Sequence, residues 1–408
     1  MPEETKYLII GGGLSGGYAV SEIRKKDQTG RLILVSNEPT EPYDRVPLSK
    51  AYLTGKIRRE ALFLKKPEFY AQNKIELLLG KEVSELDVRS KTVNLSDGTS
   101  IRFQKLLLAT GGTPRKIPLP GSELQGIHYL RTLQDCDVLK VVASKARKVA
   151  VLGGGFIGCE LASAFASMGL ECTIIEMGPF LLNMAVDEET GRWVGDCFSK
   201  RGVRLLLNST AKKFYGESGK VLGVETSSTP VEADFVVVGV GISLNTALAE
   251  KAGLKIERGI LTDEFLETSE PEIYAAGDVA RFYSSLFGRY LRLEHYDVAV
   301  KHGRIAGRNM TGDREAFNEM PYFFSYQFDL KMNAYGDLSS RTNIVRRGDL
   351  DGAGGFMQFY FNGGVIDGVL TVNSPSEEIK KAKNLVQRRA TLSNPKEIAD
   401  KSRELGDL

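Results

Sequence analysis

Short apolar runs that stop at glycine recur along the chain. The first is YLII from Tyr7, followed by GGGLSGG and then by a helical mix of small and apolar residues. The second is VAVL from Val149, followed by GGGFIG and by CELASAFASMG. Each copy leads on to another apolar run, RLILVSNE in the first and CTIIEMG in the second. This order predicts strand, tight turn, helix and parallel strand, used twice. LLLATGGTPR from Leu106 and DFVVVGVGISLN from Asp234 read as strands ending in glycine turns, each closing one such half. After about residue 319 the pattern changes to alternation. FMQFYFNGGVIDGVLTVN predicts two antiparallel strands around Asn362, Gly363 and Gly364, and SPSEEIKKAKNLVQRRA predicts a helix behind a Ser/Pro cap signal. The fold class expected is α/β with two Rossmann-like dinucleotide-binding domains and a C-terminal α+β domain.

Both glycine turns fit G-x-G-x-x-G: Gly11, Gly13 and Gly16 with Leu14 and Ser15 between them, then Gly153, Gly155 and Gly158 with Phe156 and Ile157. The first glycine makes the turn, the second lets backbone approach a pyrophosphate, and the third allows close helix packing. The ligand's negative charge then meets a helix N-terminus. Glu176 lies 18 residues after Gly158, where an acid accepts hydrogen bonds from adenosine ribose hydroxyls. Two dinucleotide devices imply two dinucleotides, FAD held by the first and NADH docked by the second. Ala109, Thr110 and Gly111 belong to the closing turn of the FAD half, and Gly239 and Gly241 to that of the NAD half. In EIYAAGDVAR, Asp278 stands at an expected helix start, either capping it or binding a ribitol hydroxyl of FAD.

These segments resemble the FAD-dependent pyridine-nucleotide oxidoreductase superfamily over nearly the whole chain. EPYDRVPLSKAYLTGK, residues 41–56, is similar to the P-Y-x-R-x-x-L-S-K segment of ferredoxin and rubredoxin reductases, apoptosis-inducing factor and monodehydroascorbate reductases. EHYDVAVKHGRIAGRNMTG, from Glu294, resembles the latter two groups, and PYFFSYQFDLKMNAYGD, from Pro321, most resembles the last. The resemblance implies a glutathione-reductase-like architecture: 1–113 and 242–318 binding FAD, 114–241 binding NAD, and 319–408 as a C-terminal interface domain. It implies that Arg45 and Lys50 lie against the flavin, Lys50 near its reactive centre, and that Glu160 sits near the nicotinamide. Glu294, His295 and Tyr296 would lie beside the isoalloxazine, with Tyr296 able to cover its face. Asn37 stands where relatives carry an acid, with Glu38 next, so either could take the FAD ribose. Val46 replaces a proline of the motif. Val300 and Phe324 replace the Arg and Tyr of the monodehydroascorbate pattern, which argues against that radical as substrate.

Composition narrows the partner. The 408 residues include 54 basic and 52 acidic ones, a net charge of +2, which gives no reason to expect nucleic acid or a membrane surface. No apolar run reaches the roughly 18 residues of a membrane span, and no secretory signal is evident, so a cytoplasmic protein is expected. The four cysteines form no C-x-x-C pair, none lies in 41–56, and no metal spacing occurs, which argues against thiol–disulfide and metal chemistry. The expected activity is NADH-dependent reduction of a one-electron acceptor through FAD, foremost a small ferredoxin or rubredoxin. The alternatives are a small radical, quinone or dioxygen, and a binding or signalling flavoprotein. A monomer or homodimer is expected. Lys380, Lys381, Lys383, Arg388 and Arg389, with Lys56, Arg58 and Arg59, are a candidate basic docking face for an acidic carrier.

Overall fold

The computed structural model describes residues 2–339, 343–352 and 354–408. The chain divides into two compact units. One comprises residues 1–44, 59–113 and 242–321; the other comprises 45–58, 114–241 and 322–408.

The first unit is built on a parallel sheet ordered Ile75–Leu79, Leu32–Ser36, Glu3–Ile10, Ser100–Leu108. The last of these strands is shared. Its first half pairs antiparallel with Thr92–Leu95, and its second half pairs parallel with Ile273–Ala275. Continuous apolar runs, not alternating ones, form the inner strands because both sheet faces are covered. Tyr7, Ile9, Leu32, Leu34 and Leu107 face one core with Ile305 and Ala306. Leu8, Ile10, Ile33, Val35, Leu106 and Leu108 face the other. Helices Leu14–Lys26 and Tyr296–Met310 lie on the first of these faces and touch closely. A Cβ on Gly303 would stand 2.3 Å from the Ser15 carbonyl oxygen.

The second unit contains a parallel sheet ordered Arg204–Leu206, Glu171–Ile175, Lys148–Leu152, Phe235–Val238, Ile127–Tyr129. An antiparallel ribbon of Ala211–Glu217, Lys220–Thr226 and Val231–Glu232 accompanies it. The C-terminal part is a five-stranded antiparallel sheet with Tyr322–Gln327 at one edge, then Leu330–Gly336, Val365–Val372, Phe356–Asn362 and Ile344–Gly348. Helix Ser376–Gln387 packs on it. The hairpin expected at residues 362–364 is present. Gly363 and Gly364 both take positive φ, 58° and 84°, as a tight two-residue turn between twisted strands requires. The fold is thus two Rossmann-like sheets with an antiparallel C-terminal domain.

Among the described residues no helix is long and apolar enough to cross a membrane.

Candidate dinucleotide and redox site

The first glycine turn follows Ile10. Gly11 has φ 117°, and a Cβ there would lie 2.2 Å from the Ala109 carbonyl oxygen; one on Gly16 would lie 2.0 Å from that of Gly11. Those two positions are closed by the protein's own backbone. Gly13, the N-cap of helix Leu14–Lys26, is different: a Cβ there would meet nothing. The open side of the turn is therefore at Gly13, beside free N–H groups of a helix N-terminus, which fits a pyrophosphate. Ser15 is buried and donates its hydroxyl to the Ala299 carbonyl at 2.8 Å. Ala109 donates its N–H to Ile10 at 2.8 Å. Thr110 donates its hydroxyl to the Asn245 carbonyl, and Gly111 accepts the Asn245 N–H at 3.0 Å. Both sit in the closing turn as expected of that motif.

At the end of Leu32–Ser36, Asn37 is exposed, whereas Glu38 is half-buried and accepts the Tyr43 hydroxyl at 2.5 Å. Asp278 lies in a three-residue 3-10 turn, Gly277–Val279, and not at an α-helix start; the chain after it continues as strand Ala280–Ser284. Tyr296 opens helix Tyr296–Met310, with His295 as N-cap. Burial raises the Tyr296 phenol pKa above its ordinary value, and the Asp44 carboxylate adds to the effect. Glu294 is exposed and paired with Arg292 at 2.6 Å. Val300 is buried in the same helix.

The second turn repeats the first. Gly153 has φ 105°, a Cβ on Gly158 would stand 1.9 Å from its carbonyl oxygen, and one on Gly153 would stand 2.5 Å from that of Gly239. Gly155 again is open, at the N-terminus of helix Phe156–Ser167, and fits a second pyrophosphate. Ile157 is exposed, and Phe156 meets Phe323 edge-on with ring centroids 5.0 Å apart. Gly241 accepts the Arg115 N–H at 2.9 Å. Glu176, at the end of Glu171–Ile175, accepts the N–H of Gly154 and that of Gly178, both at 2.6 Å.

Glu160 is the focus of the second unit. It lies in the first turn and a half of helix Phe156–Ser167 and is 4 % exposed. One carboxylate oxygen accepts Lys50 Nζ at 2.5 Å and Ser49 Oγ at 2.6 Å; the other accepts Ser325 Oγ at 2.6 Å. A buried carboxylate is tolerated only with such compensation. Lys50 ends the 3-10 turn Val46–Ser49. Its segment is tied to helix Leu133–Ala143: Tyr52 donates to Asp137 at 2.5 Å, Cys136 Sγ to the Leu48 carbonyl at 3.1 Å, and Lys140 lies over the Tyr52 ring. Arg45 donates to the Arg131 carbonyl at 2.8 Å.

Sequence reading missed Ser49, Ser325, Tyr43 and Asn183, all of which fix candidate acids. Strand alternation was the available signal for Ser325. It places Phe323, Ser325 and Gln327 on one face and Tyr322, Phe324 and Tyr326 on the other. Part of the candidate basic face is paired with acids: Lys380 with Glu377, Lys381 with Glu378 and Glu404, and Arg389 with Asp367. All four cysteines are free thiols. Burial pushes the Cys136 and Cys172 thiols up to about 12, and Cys159 well above its usual range.

Residues 5–303 match the family described as pyridine nucleotide-disulphide oxidoreductase, and 322–408 match the family described as reductase C-terminal. Rhodocoxin reductase of Rhodococcus erythropolis is 34 % identical, over 96 % of this chain and 92 % of its own. The ferredoxin reductase for the CYP199A2 system from Rhodopseudomonas palustris superposes with a TM-score of 0.92 at 31 % identity, over 99 % of both chains. The reductase in a covalent putidaredoxin reductase–putidaredoxin complex gives 0.93 at 30 %, over 98 % of this chain and 97 % of that one. With residues 5–303 and 322–408 matched in this way, the chain is a member of the pyridine nucleotide-disulphide oxidoreductase family that carries the reductase C-terminal domain.

Proposed function

We propose that the chain is an NADH-dependent FAD reductase of a small iron–sulfur electron carrier, a ferredoxin or rubredoxin, in the cytoplasm. The observation that carries the reading is the pair of half-buried Lys50 with buried Glu160, near the start of the helix behind the second open glycine turn, in a chain whose cysteines are all free. Curated relatives of similar length are named as reductases of such carriers.

In this reading residues 1–113 and 242–318 bind FAD, 114–241 bind NADH, and 319–408 form the interface domain. Bound FAD supplies the redox chemistry, accepting two electrons together and releasing them singly. The chain's own groups bind and orient. Gly11, Gly13, Leu14, Ser15 and Gly16 cradle the FAD pyrophosphate, and Ala109, Thr110 and Gly111 close that site. Glu38, steadied by Tyr43, takes the adenosine ribose in preference to the exposed Asn37. Asp278 binds the ribitol chain, and Arg45, Glu294, His295 and Tyr296 flank the ring system. Gly153, Gly155, Phe156, Ile157 and Gly158 receive the NADH pyrophosphate, Glu176 its ribose, and Gly239 and Gly241 close that site. NADH is preferred over NADPH because the Glu176 carboxylate repels a 2′-phosphate. Lys50 and Glu160 stand at the reacting end, where the ion pair orients the nicotinamide.

The test is anaerobic stopped-flow reduction of the purified protein by NADH, followed by a panel of acceptors. Fast electron transfer to a ferredoxin or rubredoxin supports the reading. Slow transfer to both beside brisk quinone reduction would assign a small-molecule acceptor instead.

A further inference from the structure

Strand Tyr322–Gln327 reaches Glu160 from 165 residues away. Ser325 Oγ lies 2.6 Å from Glu160 Oε1, and Gln327 Nε2 lies 3.1 Å from Ser325 Oγ. An amide nitrogen only donates, so Gln327 occupies a lone pair of the serine oxygen and leaves the serine proton for the carboxylate. Ser325 and Gln327 are 1 % and 0 % exposed, so no solvent competes for these bonds. Glu160 Oε2 meanwhile takes Lys50 and Ser49. Two donors on one oxygen already resist rotation about the terminal bond; a third on the other oxygen holds the plane from its opposite edge and narrows the remaining swing.

The strand itself is held independently of that bond. Phe323 packs against Phe156, Phe328 donates its N–H to Ser163 Oγ at 2.7 Å, and the Phe328 ring meets Phe198 at 5.1 Å. These contacts bracket Ser325 on both sides. Removing one hydroxyl therefore loosens one edge of the carboxylate without releasing the strand.

We propose that Ser325 is a positioning residue for hydride transfer: it locks the Glu160 carboxylate in the plane that sets the Lys50 ammonium, and so ties the C-terminal domain to the geometry of the reacting end. Gln327 acts one step further out by orienting the Ser325 hydroxyl. This rests on the reading of Lys50 and Glu160 given under Proposed function.

The test is a double-mutant cycle on the FAD-loaded protein with S325A, E160Q and the double variant, plus S325T as the conservative replacement. Flavin reduction at saturating NADH is followed by anaerobic stopped flow, NAD⁺ affinity by calorimetry, and the Glu160 rotamer by crystallography of S325A. S325A is expected to slow reduction about tenfold, the effect of losing one hydrogen bond to a charged group. NAD⁺ affinity should stay within about twofold, the Glu160 carboxylate should turn from its original plane, S325T should recover most of the rate, and S325A should add nothing in the E160Q background. Full rate in S325A beside a slow E160Q overturns the role of Ser325 alone. Full rate in E160Q overturns the underlying reading of Glu160. Additive losses, or an affinity loss as large as the rate loss, make Ser325 merely structural and overturn the proposal. If S325A does not fold, S325C carries the same measurements, since a thiol of similar size is a poor donor.

Discussion

Asn183 donates from Nδ2 to Glu176 Oε1 at 3.0 Å, on the same oxygen that accepts the Gly178 N–H. The acid at the end of strand Glu171–Ile175 is thus anchored on both oxygens by the protein itself, the second by Gly154. A fixed negative charge discriminates better than a mobile one, because it cannot swing away from a competing phosphate.

NADH should therefore exceed NADPH in kcat/KM. Glu176→Ala should lower that ratio by roughly tenfold, about 1.4 kcal/mol of discrimination. No Arg or Lys occurs in the loop 177–186 to welcome a 2′-phosphate, so the variant should lose preference without acquiring the opposite one. Steady-state kinetics with both donors measures this; an unchanged ratio contradicts it.

The two kinds of glycine in each turn should fail differently. Gly13→Val adds atoms where the protein has none, so the apoprotein should fold with an unchanged Tm while FAD content, read from absorbance, falls to near zero. Gly16→Ala drives a methyl into the Gly11 carbonyl and should lower stability by about 1–3 kcal/mol.

Acid should weaken the first unit through His302. This side chain is fully buried in helix Tyr296–Met310, edge-on to Phe282 and Phe317, and its Nδ1 accepts the Gly277 N–H at 3.4 Å. Burial lowers its pKa to about 3. The unfolded chain, titrating near 6.5, binds this proton first, so stability is complete above about pH 6.5 and falls as pH drops toward 3. The expected slope is about 1.4 kcal/mol per pH unit from this group. Urea unfolding between about pH 4 and 6 should show a proton uptake smaller by about one in His302→Gln.

Alkylation should leave turnover intact. The Cys136, Cys159 and Cys172 thiols are buried and their pKa values raised by desolvation, and the half-buried Cys197 is raised as well. Thiolate is the reactive form. Iodoacetamide near neutral pH should change NADH-dependent activity less than about twofold; rapid inactivation would restore a thiol mechanism.

Removing the Lys380–Glu377 pair as a unit, Lys380→Gln with Glu377→Gln, should alter carrier turnover less than about twofold, because the exposed pair at 2.7 Å carries no net charge. A large loss, abolished by salt, would return this helix to the docking face.

Local signals were legible and distant ones were not. YLII and VAVL with their glycines encode strand, turn and helix within about a dozen residues, and each glycine's task is a backbone property. The Gly363–Gly364 hairpin is equally local. Ser325, by contrast, reads as a polar interruption in an aromatic run until the strand pairs and its alternation brings it to Glu160. The cations at and just after helix Ser376–Gln387 read as a basic patch because two of the acids that meet them, Glu404 at Lys381 and Asp367 at Arg389, are remote in sequence. Asp278 looked like a helix start because Asp after a strand suits an N-terminal cap, but the turn closes after three residues and the chain returns to strand.

The shared strand of the first unit has a consequence for biosynthesis. Ser100–Leu108 emerges from the ribosome long before its partner Ile273–Ala275, and Leu14–Lys26 long before the helix that covers it. At about 5–20 residues per second, the gap amounts to roughly 10–30 s in which an apolar sheet edge stands open. The intervening chain can fold in that time. Slower synthesis would lengthen the exposure, and a holding chaperone would find its binding surface on Leu106, Leu107 and Leu108.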